Sequence, residues 1–446
     1  MYTNVSMRIL AMKKMSSKFW ISLTLFSLVG QIAWVVENMY LNVYIYKMFN
    51  ASASDISLMV SASAIAATLT TVLIGALSDK IGKRKLFICS GYILWGVSIF
   101  AFGIIREDII SPIIPVTVSF SSVAVSLVII LDCIMTFFGS SANDAAFNAW
   151  LTESCESDKR GAAEGINAMM PLVAILAVFG GFMSFDLDRS DSWMMIFTII
   201  GILVTVVGII GIFVIEDKPT KASENTYLRN VIYSFFPSTV KSNPALYVCL
   251  LIFIIFNISI QIFMPYLILY YEVSLKMSNY VLVMAPAIIL ASVFTAIWGK
   301  FYDKKGFGTS VIISLSLLSV GYILFSIFTD TLFVFIASLL MMCGYLSAMA
   351  VFGAKIRDLI PESKAGMFQG IRIFSQVLIP GIIGPYIGKT VLAGADTITN
   401  SDGTTSFVPN EKIFIAALVA SVITLVCVFI ITAKRKAKNE DKTCKQ

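Results

Sequence analysis

Long apolar runs alternate with short polar segments along the whole chain, and this pattern dominates the sequence. A helix that crosses a bilayer needs about 20 mostly apolar residues, and twelve runs meet that requirement. The predicted spans, numbered 1 to 12 in chain order, are 19–48, 55–78, 85–105, 117–152, 161–186, 192–215, 244–271, 278–300, 308–329, 331–356, 366–391 and 412–433. The pattern predicts an all-α polytopic membrane protein with twelve transmembrane helices.

Composition agrees with a chain that is surrounded mainly by lipid. Hydrophobic residues make up 58% of the 446 residues and charged residues 13%, against roughly 45–50% and 25% in soluble domains. Such a chain has too little polar surface to cover itself in water. The polar stretch in the middle predicts an N-terminal six-helix bundle over 1–215, a cytoplasmic linker over 216–243, a C-terminal six-helix bundle over 244–433 and a cytoplasmic tail over 434–446.

Lysine and arginine are distributed unevenly between the two sides of the predicted membrane. Loops and tails on the side of the termini hold 26 of the 33 basic residues, and the loops of the other side hold six. Cytoplasmic loops carry the excess of basic residues, so both termini are predicted to be cytoplasmic, in a protein of the plasma (inner) membrane. The net charge of +6 is spread over short clusters, which gives no basic patch for a nucleic acid.

The two sets of spans have similar cytoplasmic turns. The turn after span 2 is GALSDKIGKRK (75–85), and the turn after span 8 is GKFYDKKGFGT (299–309). The turn after span 4, ESCESDKRGAAEGI (153–166), aligns in the same way with DLIPESKAGMFQGI (358–371) after span 10. Two related halves with a binding site between them, near the middle of the membrane, are typical of secondary transporters.

These turns resemble the signature of the major facilitator superfamily, with a full copy after span 2 and a degraded copy after span 8. Within the superfamily, GQIAWVVEN in span 1, SSANDAAFNAWLTESCESDKRGAAEGI after the middle of span 4 and SFFPSTVKSNPALY in the linker resemble the glycoside–pentoside–hexuronide cation symporters and the sucrose-type transporters. The resemblance to the superfamily covers the whole chain. It implies two six-helix bundles that rock about a central site, and a sugar or glycoside as substrate.

One departure from the resemblance concerns the coupling ion. In the sodium-coupled melibiose-type members, paired aspartates of span 2 hold the cation, and their places fall at Ala67 and Thr71 in this chain. The sugar-binding aspartate of span 1 falls near Gln31, whereas the aspartate of span 4 is matched by Asp144. The resemblance therefore implies that the sodium site is missing, which leaves proton coupling or simple facilitation.

Ionisable side chains inside the spans are few, and each is a functional candidate because its insertion costs roughly 2.5–3.5 kcal/mol. Glu37 lies near the middle of span 1, and the repeat offset of 224 residues pairs it with Gln261 of span 7. Carboxyl groups in apolar cavities can exchange protons near neutral pH. Glu37 is therefore predicted to carry the coupled proton or to bind a substrate hydroxyl group, and a hydrogen bond that fixes spans 1 and 7 is the structural alternative.

Polar side chains of span 1 recur every three or four residues, which puts them on one stripe of the helix. Such a stripe must face protein or a water-filled cavity, and amides with a tryptophan suit the hydroxyl groups and the apolar face of a sugar. The predicted substrate-binding residues of spans 1 and 7 are Gln31, Trp34, Asn38, Asn257 and Gln261. Packing between helices is the alternative role for this stripe.

Span 4 carries further candidates. Asp144 and Asn148 are one helical turn apart and are predicted to bind substrate, with pairing to a basic turn at the cytoplasmic side as the alternative. Asp132 is the second candidate for proton coupling. Helical spacing turns Asp132 away from Asp144, so both can face one cavity only if the helix bends.

The charged turns predict a gate at the cytoplasmic side. In the superfamily, the aspartate at the end of span 2 approaches the N-terminal end of span 11, whose dipole attracts an anion. The resemblance thus assigns a gating role to Asp79, with Arg84, Arg160 and Asp303 in the same charge network. The alternative is a solvated turn that only sets the topology.

No further chemistry is expected from the residues present. The chain has no histidine, no Cys-x-x-Cys pair and no Walker-type loop, which argues against a zinc site, a histidine proton relay and ATP as the energy source. The sequence predicts a monomeric transporter rather than an enzyme, with a small polar solute and a proton as partners, no metal and no cofactor.

Two rival functions stay open at the level of sequence. The first is a drug or organic-ion efflux antiporter of the same fold, for which the 20 methionines argue. The second is a non-transporting membrane sensor, which would need a larger soluble part than the linker and tail provide. Asparagine, glutamine and tryptophan in the cavity lining would favour a sugar transporter, whereas methionine and phenylalanine would favour an efflux pump.

Overall fold

The computed structural model describes residues 16–113, 115, 117, 119–155, 159–217, 233–360, 368–400 and 403–443. Within this part of the chain nearly every regular element is a helix, and eleven helices are long and apolar enough to cross a membrane. The spans of the N-terminal half are Ser17–Phe49, Ala53–Ile81, Arg84–Ile104, Phe120–Ser154, Arg160–Phe182 and Ser190–Val214. Those of the C-terminal half are Pro244–Ser274, Val281–Ile327, Thr331–Leu359, Gly370–Val391 and Lys412–Thr443.

The helix Val281–Ile327 contains two of the predicted spans. Its 47 residues are far more than the roughly 20 that cross a bilayer. Its backbone leaves the helical region at Gly306, where φ is 74° and ψ is 177°, a conformation that glycine adopts because it has no Cβ. Spans 8 (281–305) and 9 (307–327) are therefore joined at Gly306, and the prediction of an all-α membrane protein with twelve spans is confirmed.

Among the described residues, four spans contain a π-helical segment, in which backbone hydrogen bonds reach the fifth residue instead of the fourth. The segments are Val36–Tyr40 in span 1, Ser140–Phe147 in span 4, Tyr270–Ser274 in span 7 and Phe374–Leu378 in span 11. Such segments are rare and occur frequently at functional sites. All four of these spans face the opposite half of the molecule, so the segments change the direction of side chains at the interface between the halves.

Short elements occupy the loops. Short helices cover Glu107–Ile110 and Pro237–Ser242. The loop between spans 11 and 12 forms the strands β1 (Thr397–Thr399) and β2 (Thr405–Phe407), which pair antiparallel. This strand pair with its turn, called the outer hairpin below, extends from the C-terminal half to the loop that follows span 1.

Small residues allow the helices within each half to pack closely. Spans 3 and 6 meet at Gly96 and Gly201, where a Cβ on Gly96 would lie 2.5 Å from the carbonyl oxygen of Gly201. Spans 9 and 10 meet at Gly321, where a Cβ would lie 2.7 Å from the backbone nitrogen of Met341. Lipid provides no hydrophobic drive between helices, so this close packing supplies the dispersion contacts that hold a membrane bundle together.

The two halves contact each other at the end that the sequence predicts to face outside, called the outer end below. Lys47 of span 1 forms an ion pair of 2.6 Å with Glu272 of span 7. Hydrogen bonds between described residues of the two halves reach inward only to the level of Tyr40 and Ser61, and the Ser61 hydroxyl donates to the carbonyl oxygen of Gly381 at 3.2 Å. The halves are therefore joined at the outer end. With the predicted orientation, in which both termini are cytoplasmic, this arrangement is inward-facing, and it is called so below.

Candidate substrate and proton site

A cavity of about 480 Å³ lies between the two halves. Spans 1, 2, 4 and 5 form one wall, and spans 7, 8, 10 and 11 form the other. The volume falls within the roughly 300–1,000 Å³ that is usual for small-molecule sites. Amide side chains in the lining are Gln31, Asn38, Asn257, Gln261 and Gln376, and carboxyl groups are Glu37, Asp132 and Asp144.

Span 1 brings three of its predicted substrate-binding residues to this cavity, namely Gln31, Trp34 and Asn38. The Asn38 side chain donates a hydrogen bond of 2.8 Å to the carbonyl oxygen of Trp34. The Trp34 ring packs on Trp95 of span 3, with 4.9 Å between the ring centroids. Trp34 is therefore held in place and offers an apolar ring to the cavity, next to two amides.

Glu37 is buried where spans 1, 2 and 4 meet. Its Oε1 atom accepts hydrogen bonds from the hydroxyl groups of Ser63 at 2.8 Å and Thr136 at 2.9 Å, and the two hydroxyl oxygens lie 2.8 Å apart. Asp132, one turn before Thr136, lines the same cavity as Glu37. Glu37 is 7% exposed and Asp132 2%. These four residues are called the carboxyl cluster below.

Both aspartates of span 4 line the cavity, although regular α-helical spacing would turn them apart. Twelve residues at 3.6 per turn leave the two side chains about 120° apart around the helix axis. The π segment Ser140–Phe147 includes Asp144, and its wider turns take up more residues each, which rotates Asp144 toward the side of Asp132. The sequence predicted that both aspartates could face one cavity only if the helix bends. The π segment provides this departure from regular α-helical geometry.

Asn148 lies outside the cavity lining, in contrast to Asp144. Asp144 accepts a hydrogen bond of 3.0 Å from the Ser140 hydroxyl. Asn148 is exposed, and its side chain donates to the backbone carbonyl oxygen of Asp144 at 3.1 Å. Four residues complete a turn of α-helix but fall short of a turn of π-helix, which explains why these two side chains do not share a face.

Span 7 brings Asn257 and Gln261 to the opposite wall. The Asn257 amide donates to the carbonyl oxygen of Phe253 at 2.8 Å. Gln261 packs closely against Gly384 of span 11. A Cβ on residue 384 would lie 2.8 Å from the backbone carbonyl carbon of Gln261. The repeat-related pair of Glu37 and Gln261 therefore lines one cavity from both halves.

The cavity and the carboxyl cluster beside it also contain residues that the sequence did not single out. Ser63 and Thr136 are small hydroxyl residues in apolar helices, where such residues are common and carry no signal of their own. Six methionines line the cavity, namely Met39, Met59, Met264, Met284, Met342 and Met349. Four of these six belong to the C-terminal half, whereas all three carboxyl groups belong to the N-terminal half.

Two of the predicted gating residues meet at the inner end of span 2. Arg84 forms an ion pair with Asp79, and its guanidinium also donates to the Ser78 hydroxyl at 2.5 Å. Glu153 at the end of span 4 is a second carboxylate partner of Arg84, at 2.7 Å. In this inward-facing arrangement Asp79 is therefore paired within its own half. The sequence did not assign a role to Glu153.

The other two predicted gating residues lie apart from this group. Asp303 is exposed near the inner end of span 8, where its neighbour Tyr302 donates a hydrogen bond of 2.6 Å to Asp358. Arg160 is the first residue of the helix Arg160–Phe182, and its side chain lies outside the described part of the chain.

A second cavity, of about 380 Å³, lies at the outer end and is lined by Tyr40, Lys47, Glu272 and Tyr280 among others. The hydroxyl groups of Tyr40 and Tyr280 lie 3.1 Å apart. Burial raises the pKa of the Tyr280 hydroxyl well above its usual value, so this contact is a neutral hydrogen bond at physiological pH. Because Tyr40 follows the cavity-lining Met39, this tyrosine pair lies between the outer and the central cavity.

The family model described as Major Facilitator Superfamily matches residues 19–385. The chain belongs to the Major Facilitator Superfamily. Membership identifies it as an integral membrane protein and a secondary transporter of small molecules, and it agrees with the two sets of spans around a central cavity. A comparison with curated protein sequences found no match.

Three solved transporter structures share the fold. The nucleoside transporter NupG is 13% identical, with a TM-score of 0.66 over 94% of this chain and 99% of that one. A bacterial homolog of the human lysosomal transporter Spinster, inward-facing and unoccupied, is 15% identical, with a TM-score of 0.68 over 93% and 97%. The xylose transporter XylE from E. coli, partially occluded and inward open, is 14% identical, with a TM-score of 0.65 over 93% and 99%. At these identities the likeness concerns the fold.

Proposed function

We propose that this superfamily member is a proton-coupled symporter of a small polar solute, a sugar or glycoside, that works by alternating access. The carboxyl cluster carries this proposal, because it puts two buried acidic groups, Glu37 and Asp132, beside a cavity lined with amides and a tryptophan. A solute that occupies this cavity contacts both halves, and its binding can therefore be linked to their movement.

The charges of the cavity support coupling to a proton. Two carboxyl groups in one buried cluster repel each other when both are ionised, and no lysine or arginine lines the cavity among the described residues. One proton on Glu37 or Asp132 removes this repulsion. In the proposed cycle the cluster takes up the proton from the outer side, and the inward-facing state releases proton and solute to the cytoplasm.

The polar residues of both walls suit a sugar. Trp34 provides the flat apolar surface on which the C–H face of a sugar ring packs. Amides offer both donors and acceptors for hydroxyl groups, and Asp144 offers a strong acceptor near Ser140. The proposed substrate-binding residues are Gln31, Trp34, Asn38, Asp144, Asn257 and Gln261. Asn148 is assigned a position next to Asp144 rather than a contact with substrate.

Alternating access requires gates at both ends. At the outer end, the Lys47–Glu272 ion pair and the Tyr40–Tyr280 hydrogen bond join the halves. At the inner end, we assign a gating role to the group of Asp79, Arg84 and Glu153. When the inner ends of the two halves approach each other, Asp79 is proposed to break its ion pair with Arg84, which keeps its ion pair with Glu153. Asp79 then binds the N-terminal end of span 11, whose dipole attracts the carboxylate. Arg160 and Asp303 are proposed to belong to the same inner gate.

The proposed setting of the transporter follows from the sequence pattern. Excess basic residues at the side of the termini favour cytoplasmic ends and a plasma (inner) membrane location. We propose that 1–215 and 244–433 move as the two bundles, that 216–243 links them at the cytoplasmic side, and that one chain is the transporting unit.

A second candidate function is an efflux antiporter for organic cations. Six methionines in the lining favour it, because their flexible thioether chains adapt to varied apolar ligands. Glu37, Asp132 and Asp144 make the wall of the N-terminal half acidic, and no basic residue is among the described lining residues. This wall would also attract a cation. The amides and Trp34 in the same lining favour the sugar transporter.

Uptake into proteoliposomes tests the proposal. Labelled mono- and disaccharides and one lipophilic cation are offered with and without an inward proton gradient. Accumulation of a sugar that depends on the gradient supports the symporter. Movement of the lipophilic cation without any sugar uptake assigns the efflux function instead.

A further inference from the structure

The carboxyl cluster has more acceptor capacity than its protein neighbours satisfy. Glu37 Oε1 accepts hydrogen bonds from two hydroxyl groups, but Glu37 Oε2 and Asp132 Oδ1 are buried without a hydrogen-bond partner among the described residues. Both side chains are more than nine-tenths buried and line the central cavity. A buried polar atom without a partner is destabilising, and more so when it is charged. The cluster is therefore suited to a donor that enters from the cavity.

The ionisable side chains among the described residues that line the cavity are all acidic. Its lining holds the carboxyl groups of Glu37, Asp132 and Asp144, and no lysine or arginine among the described residues that line it. Lys47 of span 1 faces the outer cavity instead and is paired with Glu272. One proton neutralises one carboxyl group, so the remaining charge favours a positively charged solute over a neutral one and disfavours an anion.

We propose that the carboxyl cluster is a subsite for a protonated primary amine carried by the transported solute, such as the amino group of an amino sugar. A primary ammonium group has three donors and one positive charge, which match Glu37 Oε2, Asp132 Oδ1 and the oxygen of Ser63. The amides and Trp34 of the same cavity bind the rest of the solute. This inference rests on the proposed function, and it names a substrate class for that same site.

The charge balance has a consequence for the driving force. The ammonium group of the solute takes the place that the proton fills when the solute is neutral. Uptake of the amine then moves one positive charge and follows the membrane potential in the absence of a pH gradient. A hexuronate would instead add a negative charge to a cavity that already holds Glu37, Asp132 and Asp144, and it is excluded.

Calorimetric titration of the purified full chain tests the binding directly. The titrants are an amino hexose, its N-acetyl derivative, the parent hexose and the hexuronate, followed by sodium chloride alone, because sodium is another cation that the same oxygens would accept. The proteins are the wild type, Asp132→Asn and the charge-retaining Asp132→Glu. Asp108→Asn serves as the control, since Asp108 is exposed and pairs with Arg106 outside the spans.

The amino hexose is expected to bind the wild type and Asp108→Asn about tenfold more tightly than the parent hexose, because hydrogen bonds between charged groups are stronger than those between neutral groups. Asp132→Asn is expected to lose this difference while it still binds the parent hexose, and Asp132→Glu to retain part of it. Equal binding of the amine and the parent overturns the inference, as does sodium binding that depends on Asp132 and with which the amine does not compete.

The titration, set beside sugar uptake into proteoliposomes, separates this inference from the proposed function. Uptake of a neutral sugar without any preference for the amine leaves the symporter standing and rejects the amine subsite. Binding of the amino hexose that depends on Asp132, without uptake of any sugar, supports the subsite and rejects the sugar symporter.

Discussion

The Lys47 ammonium group lies 2.6 Å from the Glu272 carboxylate, and this ion pair connects span 1 to span 7 at the outer end. Each of the two side chains is 12% exposed. Asp188, in the loop between spans 5 and 6, is a second partner of Lys47 at 3.1 Å. Removal of one member of a buried ion pair costs roughly 3–5 kcal/mol, because the other charge stays buried without compensation. The pair therefore stabilises the outer closure of the inward-facing state.

Loss of this ion pair is expected to favour opening at the outer end. In Lys47→Met, the fraction of molecules with a long distance between spin labels at positions 107 and 278, which are exposed in outer loops of different halves, should rise several-fold. Lys276→Met is the matched control, since Lys276 lines the same outer cavity and has no ion pair among the described residues. Identical distance distributions in both variants would contradict a role of Lys47 in closure.

The outer hairpin is a second connection between the halves, and Asn50 is its anchor. Asn50 has a φ of 52°. Its side-chain Nδ2 donates to the Thr404 hydroxyl at 2.7 Å, and its side-chain Oδ1 accepts from the Asn400 amide at 2.8 Å and the Ser406 hydroxyl at 3.0 Å. Asn50→Gly keeps the left-handed backbone without strain and removes three hydrogen bonds, each of which contributes about 0.5–1.5 kcal/mol.

Asn50→Gly is therefore expected to accelerate deuterium exchange of the backbone amides between 397 and 407, and to increase outer opening in the same label pair. Asn279→Gly, in the outer loop before span 8, provides the control, because the Asn279 side chain makes no hydrogen bond among the described residues. Unchanged exchange in Asn50→Gly would show that the hairpin is held without this residue.

Substitution of Trp34 is expected to weaken solute binding. Trp34→Ala removes the apolar ring that packs on Trp95 and lines the cavity, and KM for the solute should rise by roughly tenfold, whereas Trp34→Phe should have a smaller effect. Trp298→Phe is the control, since Trp298 does not line the central cavity. Equal KM values for the wild type and Trp34→Ala would remove Trp34 from the binding site.

Substitution of Asp79 is expected to slow transport without a change in affinity. Asp79→Asn leaves Arg84 with its second partner Glu153, so the inner turn should remain folded, but the carboxylate that is proposed to bind span 11 is lost. The rate of solute exchange should fall several-fold at unchanged Kd. Glu216→Gln serves for comparison, because the exposed Glu216–Lys18 pair at the same side contributes little. A weaker Kd in Asp79→Asn would point to binding instead of gating.

The spans could be predicted because length and apolar composition decide them in a bilayer. Each of the twelve predicted runs falls on a helix of the structure, although 281–305 and 307–327 appear as one helix that bends at Gly306. The predicted cytoplasmic turns recur because both halves need the same sharp reversals. Ends of spans were less predictable, since the helix Phe120–Ser154 begins after the predicted start at 117 and ends after the predicted end at 152.

The candidate site was only partly accessible to sequence. The helical spacing of polar residues predicted that Gln31, Trp34 and Gln261 line the cavity, and the structure places them there. Such a row of polar residues in lipid must face protein or water. The same reasoning failed to place Asn148 and Asp132 relative to Asp144, because α-helical spacing does not hold through the π segment Ser140–Phe147.

Neighbours from other helices were also missed. Ser63 of span 2 and Thr136 of span 4 are recognised as part of the site only because both donate hydrogen bonds to Glu37 of span 1. Sequence spacing on one helix carries no information about such contacts, and small hydroxyl residues are ordinary constituents of membrane helices. The same applies to Glu153, which is drawn to Arg84 by the packing of spans 2, 3 and 4.

The central claim is that Glu37 couples solute movement to a proton. Glu37→Gln keeps the size of the side chain and an oxygen that can accept from Ser63 and Thr136, but it cannot ionise. The most direct measurement compares solute accumulation under an inward proton gradient with solute exchange in its absence, in proteoliposomes that contain a pH-sensitive dye. The wild type is expected to accumulate solute and to take up protons with it, whereas Glu37→Gln is expected to exchange solute at a similar rate and only to equilibrate it. Accumulation by Glu37→Gln at the level of the wild type would contradict the account.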